Sequence, residues 1–265
     1  MASPLPKILS HVRLHGGLPD RVPWHFGERA TDIFRKYATL RFRLFPYIYS
    51  QAYLCTQTGL PLMRALVLEY QEDPLVCDIE DQYLFGDAFL VAPVYSQDGR
   101  RSVYLPEGTW FDYWTARSYE GPVSLKIESP LDVLPLYVRG DSMIPMGPKM
   151  AYIGEKALDP ITLDVWLCSE TECIIYDDDE MVMVRARRKA YATTIEVSAS
   201  KKNYIAKLNG IGCPLKVKVN GVDAPALGSY SELNKATIGW YFDPSLVTYI
   251  KWDALGVRSE IIVTD

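Results

Sequence analysis

The segment Glu28–Thr58, with the sequence ERATDIFRKYATLRFRLFPYIYSQAYLCTQT, is the one long helical pattern in this sequence. Its apolar residues recur at steps of three or four, the spacing that gathers side chains on one face of an α-helix; they are Ile33, Tyr37, Leu40, Leu44 and Ile48. Pro46 lies inside the pattern and lacks a backbone donor, so we expect a kink or two consecutive helices. Gly59 and Pro61 mark the end of the second helix.

The chain changes character after Gly59, where short segments of β type alternate with turn residues. The strands are expected at residues 89–95, 101–105, 123–127, 161–167, 181–185, 193–200 and 215–219. The last of these leads into Asn220-Gly221, a strong signal for a tight hairpin. Many short strands separated by such turns favour antiparallel sandwiches over a parallel sheet. A loop-rich stretch at residues 146–154 separates two strand-rich blocks.

Composition narrows the classes of partner and cofactor. The 265 residues are 48% hydrophobic and 23% charged, which is typical of a globular protein, and the net charge is −5. A negative net charge argues against binding to nucleic acid or to an anionic membrane surface. No run approaches the ~18 apolar residues of a membrane span, and no secretory signal is evident, so we expect a cytoplasmic protein.

Motifs for a bound cofactor or metal are missing from the sequence. Five cysteines, an odd number without a CxxC pair, predict reduced thiols and no structural metal. Neither a nucleophile elbow nor a phosphate-binding glycine loop occurs, and we expect no cofactor. The acidic run from Tyr176 to Glu180 lacks the spacing of a calcium loop and is interpreted as a solvated turn between strands.

His15 is the residue that stands out chemically. It precedes Gly16-Gly17, where backbone can approach a ligand closely, and Trp24 follows in the same loop-like run. An imidazole can hydrogen-bond a sugar hydroxyl, and an indole can stack on a sugar ring. The residues alone leave a structural histidine equally open.

An ordered series of motifs resembles glycoside hydrolase family 31, the α-glucosidases and α-xylosidases. The series is SHVRLHG (residues 10–16), RVPW (21–24), RKYATLRFRLFPYIY (35–49), GLPLMR (59–64), DQYLFGD (81–87), LVAPV (90–94), VYLPEGTW (103–110), DYW (112–114), LPLYVR (134–139) and the turn that begins at Tyr176. Each piece is short, but their order over residues 10–180 is specific. After Glu180 only the strand pattern is similar.

The resemblance implies a mainly β fold, with two antiparallel β-sandwich domains preceded by the last loop and helix of a (β/α)8 barrel. Residues 1–58 would be the barrel remnant, 59–148 the proximal sandwich and 149–265 the distal sandwich. Active sites of such barrels lie at the carboxyl ends of the strands. His15 matches the family histidine that hydrogen-bonds the sugar in the first subsite, and it is our predicted substrate-binding residue.

The sequence also departs from the family pattern. The family nucleophile and acid/base are aspartates of earlier barrel strands, and the W-x-D-x-N-E-like segment of the nucleophile does not occur here. We therefore assign no catalytic residue and no metal ligand. Retention of configuration needs two carboxyl groups ~5 to 5.5 Å apart. We expect a truncated chain that starts inside the barrel domain and is inactive alone.

Three hypotheses follow for function. The chain is the C-terminal part of an α-glycosidase, or a stand-alone carbohydrate-binding module, or a structural or oligomerising remnant. The first implies two partners, an α-linked xylose- or glucose-containing oligosaccharide and the missing barrel portion; a homo-oligomer is a further candidate. We also expect the helical segment to expose an apolar stripe that a complete barrel would cover.

Overall fold

Two consecutive helices open the part of the chain that the computed structural model describes, residues 21–177 and 180–264. A 3₁₀ turn at Pro23–Phe26 precedes α1 (Glu28–Arg43), and α2 (Phe45–Thr58) follows after a break at Leu44. Pro46 stands in the first turn of α2, where its missing N–H leaves no hydrogen bond unmade. Gly59 ends α2 in the left-handed conformation, with φ +78°. The predicted pair of helices is confirmed.

Strands make up about half of the remaining described chain. Those of the first half are β1 (Met63–Arg64), β2 (Tyr83–Phe85), β3 (Phe89–Val91), β4 (Arg100–Asp112), β5 (Ser118–Glu128), β6 (Leu136–Arg139) and β7 (Ser142–Met146). Those of the second half are β8 (Ile161–Trp166), β9 (Glu170–Asp177), β10 (Glu180–Lys189), β11 (Ala192–Val197), β12 (Asn203–Asn209), β13 (Lys216–Val219), β14 (Val222–Asp223), β15 (Gly239–Asp243), β16 (Val247–Asp253) and β17 (Ser259–Thr264), with a short helix α3 (Tyr230–Lys235).

The described strands form three sheets, and the mainly β fold is confirmed. The first sheet has the order β1-β2-β3-β6-β4-β5. The other two, β14-β13-β17-β11-β10-β9 and β15-β16-β12-β8-β7, enclose one core, in which Trp252, Val184 and Ile261 are fully buried. Pairing is antiparallel except between β8 and β12, which run parallel. A crossover through β9, β10 and β11 of the facing sheet connects these two strands, and such a long connection permits parallel pairing.

The first sheet is covered on both faces. Phe85 and Phe89 contact one cluster, whereas their neighbours Leu84 and Leu90 point into another, as the alternation of a strand requires. The first cluster contains the apolar stripe of the helices, with Ile33, Tyr37, Leu40 and Leu44 all buried. Our expectation that this stripe is exposed was therefore wrong, because the sheet itself covers it.

Strand β7 joins the two blocks of strands. It pairs antiparallel with β8, so its hydrogen bonds place it in the sheet of the second block. Its side chains nevertheless divide between both cores, since Met143 packs in the second block and Ile144 packs under the helices. The domain limits 1–58, 59–148 and 149–265 stay predictions.

Local turn signals were accurate where they were strong. Asn220 (φ +50°) and Gly221 (φ +81°) form the tight turn between β13 and β14, both in the left-handed region that this hairpin needs. Strand β4 is much longer than predicted and continues through Pro106. The register shifts between Leu105 and Gly108, and this bulge accommodates a proline that cannot donate to the ladder. Within the described residues no helix is long and apolar enough to cross a bilayer.

Tyr47 connects α2 to the turn between β2 and β3. Its buried hydroxyl donates to the carbonyl of Phe85 (2.8 Å) and accepts from the amide of Ala88 (3.0 Å). Burial raises the pKa of Tyr47 well above its usual value. The turn passes so close that a Cβ on Gly86 would lie 2.2 Å from the Tyr47 hydroxyl oxygen. Gly86 is also left-handed, with φ +59°, so both space and conformation require glycine.

Tyr37 fixes α1 in a similar way. Its hydroxyl accepts from the amide of Leu134 (2.6 Å) and donates to the carbonyl of Asp132 (3.1 Å). The neighbouring Lys36 donates to the same carbonyl at 2.8 Å, and its ammonium lies 4.8 Å from the centre of the Trp114 ring. Two consecutive side chains of α1 thus hydrogen-bond to the backbone of the loop before β6.

Gly86→Ala is expected to destabilise the chain strongly, because the new methyl group overlaps the Tyr47 hydroxyl. Gly59→Ala is the matched control, since Gly59 has φ +78° and no neighbour within 4 Å of an added Cβ. The control should lower the unfolding free energy by about 1 kcal/mol, the cost of a left-handed side chain. Gly86→Ala should lose about 1 to 3 kcal/mol more. Equal losses in urea unfolding would contradict the close approach.

Tyr37→Phe is expected to lower the unfolding free energy by about 1 to 3 kcal/mol, because the Leu134 amide loses its acceptor. Burial, partly offset by that hydrogen bond, raises the pKa of Tyr37 to about 12. A folded pKa above the unfolded value means that this stabilisation is complete below pH 10 and is lost as the pH rises toward 12. The difference from wild type should therefore shrink over that range.

The control for this variant is Tyr191→Phe, because Tyr191 is 77% exposed. Loss of this exposed hydroxyl should leave the unfolding free energy unchanged. Chemical unfolding at pH 8 and at pH 11 measures both variants. A Tyr37→Phe difference that stays constant between the two pH values would contradict the assigned role.

Candidate functional site

The predicted sugar-contacting residue, His15, lies outside the described residues, as does the rest of the loop up to Asp20. The structure describes this region from Arg21 onward, where the RVPW motif leads into the first helix. His15 therefore stays a prediction. What the structure shows is the surface that directly follows it in the chain.

The RVPW motif folds into a compact 3₁₀ turn. The amide of His25 donates to the carbonyl of Val22 (3.0 Å), and the amide of Gly27 donates to that of Trp24 (3.3 Å). Pro23 is buried beneath the turn and begins it. Gly27, with φ +91°, redirects the chain into α1.

Trp24 and Phe26 project from this turn into solvent and form what we name the aromatic wall. Trp24 is 68% exposed and Phe26 is 58% exposed, large fractions for such apolar side chains. Exposed aromatic surface of this kind marks a binding or packing surface. An indole face can stack on the C–H face of a sugar ring, and it can equally pack against another protein segment.

The aromatic wall has a rigid base. The 3₁₀ turn contacts α1, and the backbone amide and hydroxyl of Thr31 both donate to the Gly27 carbonyl, at 3.2 and 3.1 Å. Tyr37 and Lys36 hydrogen-bond α1 to the loop before β6. The aromatic wall is therefore positioned through α1 by the first block of strands. Its position is thus set by contacts more than one helical turn away.

Charged and polar side chains form a network between α2 and the first sheet. Gln51 Nε2 donates to Asp87 Oδ2 at 3.1 Å, and Arg64 Nη1 donates to Asp87 Oδ1 at 2.9 Å. The same arginine pairs with Glu69, whose other oxygen accepts from Arg139 Nη2 at 2.7 Å. Arg64 is almost fully buried. The carboxylates of Asp87 and Glu69 both form ion pairs with arginines. This network is therefore suited to holding α2 in place and not to acid–base chemistry.

The described ends of the acidic run are Asp177, which ends β9, and Glu180, which begins β10. Asp177 and Glu180 are opposite each other in the register of these strands. Asp177 pairs with Lys202, and Glu180 accepts from the hydroxyl of Ser200 (3.2 Å). The predicted turn falls on residues 178 and 179, which lie outside the described residues, and it stays a prediction. In residues 21–177 and 180–264, no group of three His, Cys, Asp or Glu side chains could hold a metal ion. The five cysteines are free thiols, as predicted.

Sequence reasoning missed a cleft of about 230 Å³ between α2 and β9. We name it the α2–β9 cleft. Aliphatic side chains of β8 and β9 form its floor, and its other lining residues include Phe45, Tyr49, Leu158, Tyr176, Asp177 and Lys202. A signal for it was present in the sequence, since Phe45, Tyr49 and Tyr53 recur every four residues along a second face of the helix.

Two family profiles match the chain in order. Residues 8–51 match the TIM-barrel domain of glycosyl hydrolases family 31, and residues 59–144 match the glycosyl hydrolase family 31 C-terminal domain. The α-xylosidase of Saccharolobus solfataricus is 33% identical over 193 residues, which cover 72% of this chain and 26% of that protein. Relatives also include α-glucosidases.

Solved structures agree with the profiles. A family 31 dextranase of Flavobacterium johnsoniae, complexed with glucose, superposes with a TM-score of 0.87 and 30% identity, covering 94% of this chain and 34% of the dextranase. The cycloalternan-forming enzyme of Listeria monocytogenes, in complex with a pentasaccharide substrate, gives 0.89 and 27% identity over 94% of this chain and 25% of that enzyme.

The chain spans only about a quarter to a third of these proteins, with 26%, 34% and 25% of their lengths matched. The matched part begins within the barrel domain and continues through the β domain, in the same order as the helices and sheets of the structure. The chain belongs to glycoside hydrolase family 31, of which it carries the C-terminal part of the barrel domain and the C-terminal β domain.

Proposed function

We propose that this chain is the C-terminal part of a retaining α-glycosidase that hydrolyses the O-glycosidic bonds of α-xylosides or α-glucosides. The observation that carries the proposal is the joint match of barrel tail and β domain, in order, to relatives of this activity. Alone, the chain is inactive, because the two catalytic aspartates are contributed by barrel segments that its sequence does not contain.

His15 and the aromatic wall belong to this proposal as parts of the sugar-binding surface. His15 hydrogen-bonds the sugar of the first subsite, and Trp24 follows it by nine residues on a turn fixed to α1. The relatives whose structures hold glucose and a pentasaccharide support an oligosaccharide as the ligand. The wall's exposed rings supply either a stacking surface for this ligand or a contact for the rest of the barrel.

The proposed partners are therefore the substrate and the remaining barrel, with self-association through exposed aromatic surface as a further candidate. The net charge of −5 argues against nucleic acid and anionic membranes as partners. Free cysteines and the absence of Asn-x-Ser/Thr sites in the sequence support a cytoplasmic location. The alternative function, a stand-alone carbohydrate-binding or structural module, is favoured by one observation, the aromatic α2–β9 cleft.

Complementation tests the main proposal. The Saccharolobus α-xylosidase, shortened by the quarter that matches this chain, would be coexpressed with it and assayed on p-nitrophenyl α-xyloside and α-glucoside. We expect no turnover by either piece alone and turnover by the mixture, because only the mixture combines both aspartates with the last wall of the barrel. Turnover by the chain alone would refute the proposed inactivity. A stable complex without turnover would refute the proposed contribution to catalysis.

His15→Ala tests the assigned sugar contact in the complemented enzyme. Loss of one hydrogen bond to the substrate should lower kcat/KM by about 10- to 100-fold. Tyr191→Phe is again the control, because Tyr191 is an exposed side chain between β10 and β11, and it should leave kcat/KM within about twofold. Melting temperatures of both variants should equal that of the wild type. A fall in melting temperature for His15→Ala would indicate a structural histidine.

A further inference from the structure

We propose that the α2–β9 cleft binds one neutral pyranose unit of an α-linked oligosaccharide. The site is additional to the subsite assigned to His15, and its ligand class rests on the proposed function. Its lining comes from α2, the segment before β8, β8, β9 and Lys202, so it lies between the barrel tail and the second block of strands.

The size of the cleft suits a single sugar ring. Its volume of about 230 Å³ is well above the ~30 Å³ share of one water and below the ~300 Å³ of the smallest drug-sized pockets. Two walls of the cleft are rigid secondary structure, because Ser50 of α2 accepts a hydrogen bond from the amide of Tyr176 (2.9 Å). The helix and the strand are therefore held at a fixed separation.

Aromatic rings form one side of the cleft. Phe45 and Tyr49 are stacked, with centroids 5.8 Å apart and planes 10° apart, and Tyr49 lies 5.5 Å from Tyr176. Tyr53 stacks behind Tyr176 at 4.1 Å and 7°, which fixes the orientation of that ring before any ligand arrives. Preordered aromatic faces are the surfaces that accept the C–H face of a pyranose with little loss of side-chain entropy.

A charged pair also lines the cleft and forms its polar rim. Asp177 and Lys202 contact each other, with side chains 33% and 23% exposed. The carboxylate can accept from a sugar hydroxyl and the ammonium can donate to one. Because the two charges neutralise each other, an ionic ligand would have to break the pair, whereas a neutral polyol can bridge it. Aromatic rings and a polar pair in one cleft match the apolar face and polar edges of a sugar.

The experiment measures binding of methyl α-D-glucoside, methyl α-D-xyloside and isomaltose to the 265-residue chain by ligand-observed NMR and calorimetry. Leu158→Phe fills the cleft from its side and should abolish binding. Asp177→Asn keeps the shape but removes the rim charge, and it should weaken binding about tenfold. Asp223→Asn is the control. Asp223 forms a more exposed ion pair with Lys216 (2.9 Å), and neither residue lines the cleft. This variant should bind the sugars as the wild type does.

Three results with the chain alone would overturn the proposal. The sugars fail to bind at tens of millimolar, or Leu158→Phe binds them as wild type does, or cyclohexanol, a ring lacking the other hydroxyls, binds equally well. Failure here is separable from failure of the proposed function, because Leu158→Phe should still restore hydrolysis in the complementation assay. Sugar binding that disappears when the barrel fragment is added would also overturn the site, by showing that protein fills the cleft.

Discussion

The contact between the Tyr47 hydroxyl and the turn at Gly86 is the constraint on which the rest of the arrangement depends. A buried hydroxyl must find partners, and this one uses the carbonyl of Phe85 and the amide of Ala88 from a single turn. The ring also meets Phe89 edge to face, with centroids 5.4 Å apart. This bond geometry is available only because no side chain stands at Gly86. One tyrosine thereby fixes both the height and the rotation of α2 above the first sheet.

Fixing α2 in turn sets the relation between the barrel tail and both blocks of strands. Ser50 lies less than one turn from Tyr47 and bonds in two directions, donating to the carbonyl of Pro46 and accepting from the amide of Tyr176. The helix thus hydrogen-bonds to the first sheet on one side and to β9 on another. The α2–β9 cleft is the space left between the helix and the strand beside these contacts. Packing of the barrel tail is inseparable from packing of the β blocks.

Local features were predictable from sequence, and long-range ones were not. Pro46 and Asn220-Gly221 act on neighbouring backbone, so the helix break and the hairpin followed from their chemistry. The partner of the helical stripe could not be inferred, since apolar spacing shows that a face is buried but not against what. The parallel pairing of β8 with β12 depends on a crossover that no local signal encodes. The division of the β7 side chains between two cores likewise depends on packing between segments far apart in the sequence. For the site, the family resemblance indicated His15. The four-residue spacing of Phe45 and Tyr49 indicates a second aromatic face of the helix, but spacing alone does not show that a cleft lies against that face.

Trp24 and Phe26 are apolar surface in excess of what the described chain covers. Ile33 and Leu40 of α1 face the first sheet, whereas Trp24 and Phe26, on the turn before α1, are exposed. Exposed aromatic rings beside a fully packed helical stripe are typical of a surface that contacts a further segment or a ligand. This excess supports the proposal that other barrel segments complete the molecule. It also explains why the stripe, read alone, could not distinguish an independent cap from the end of a barrel.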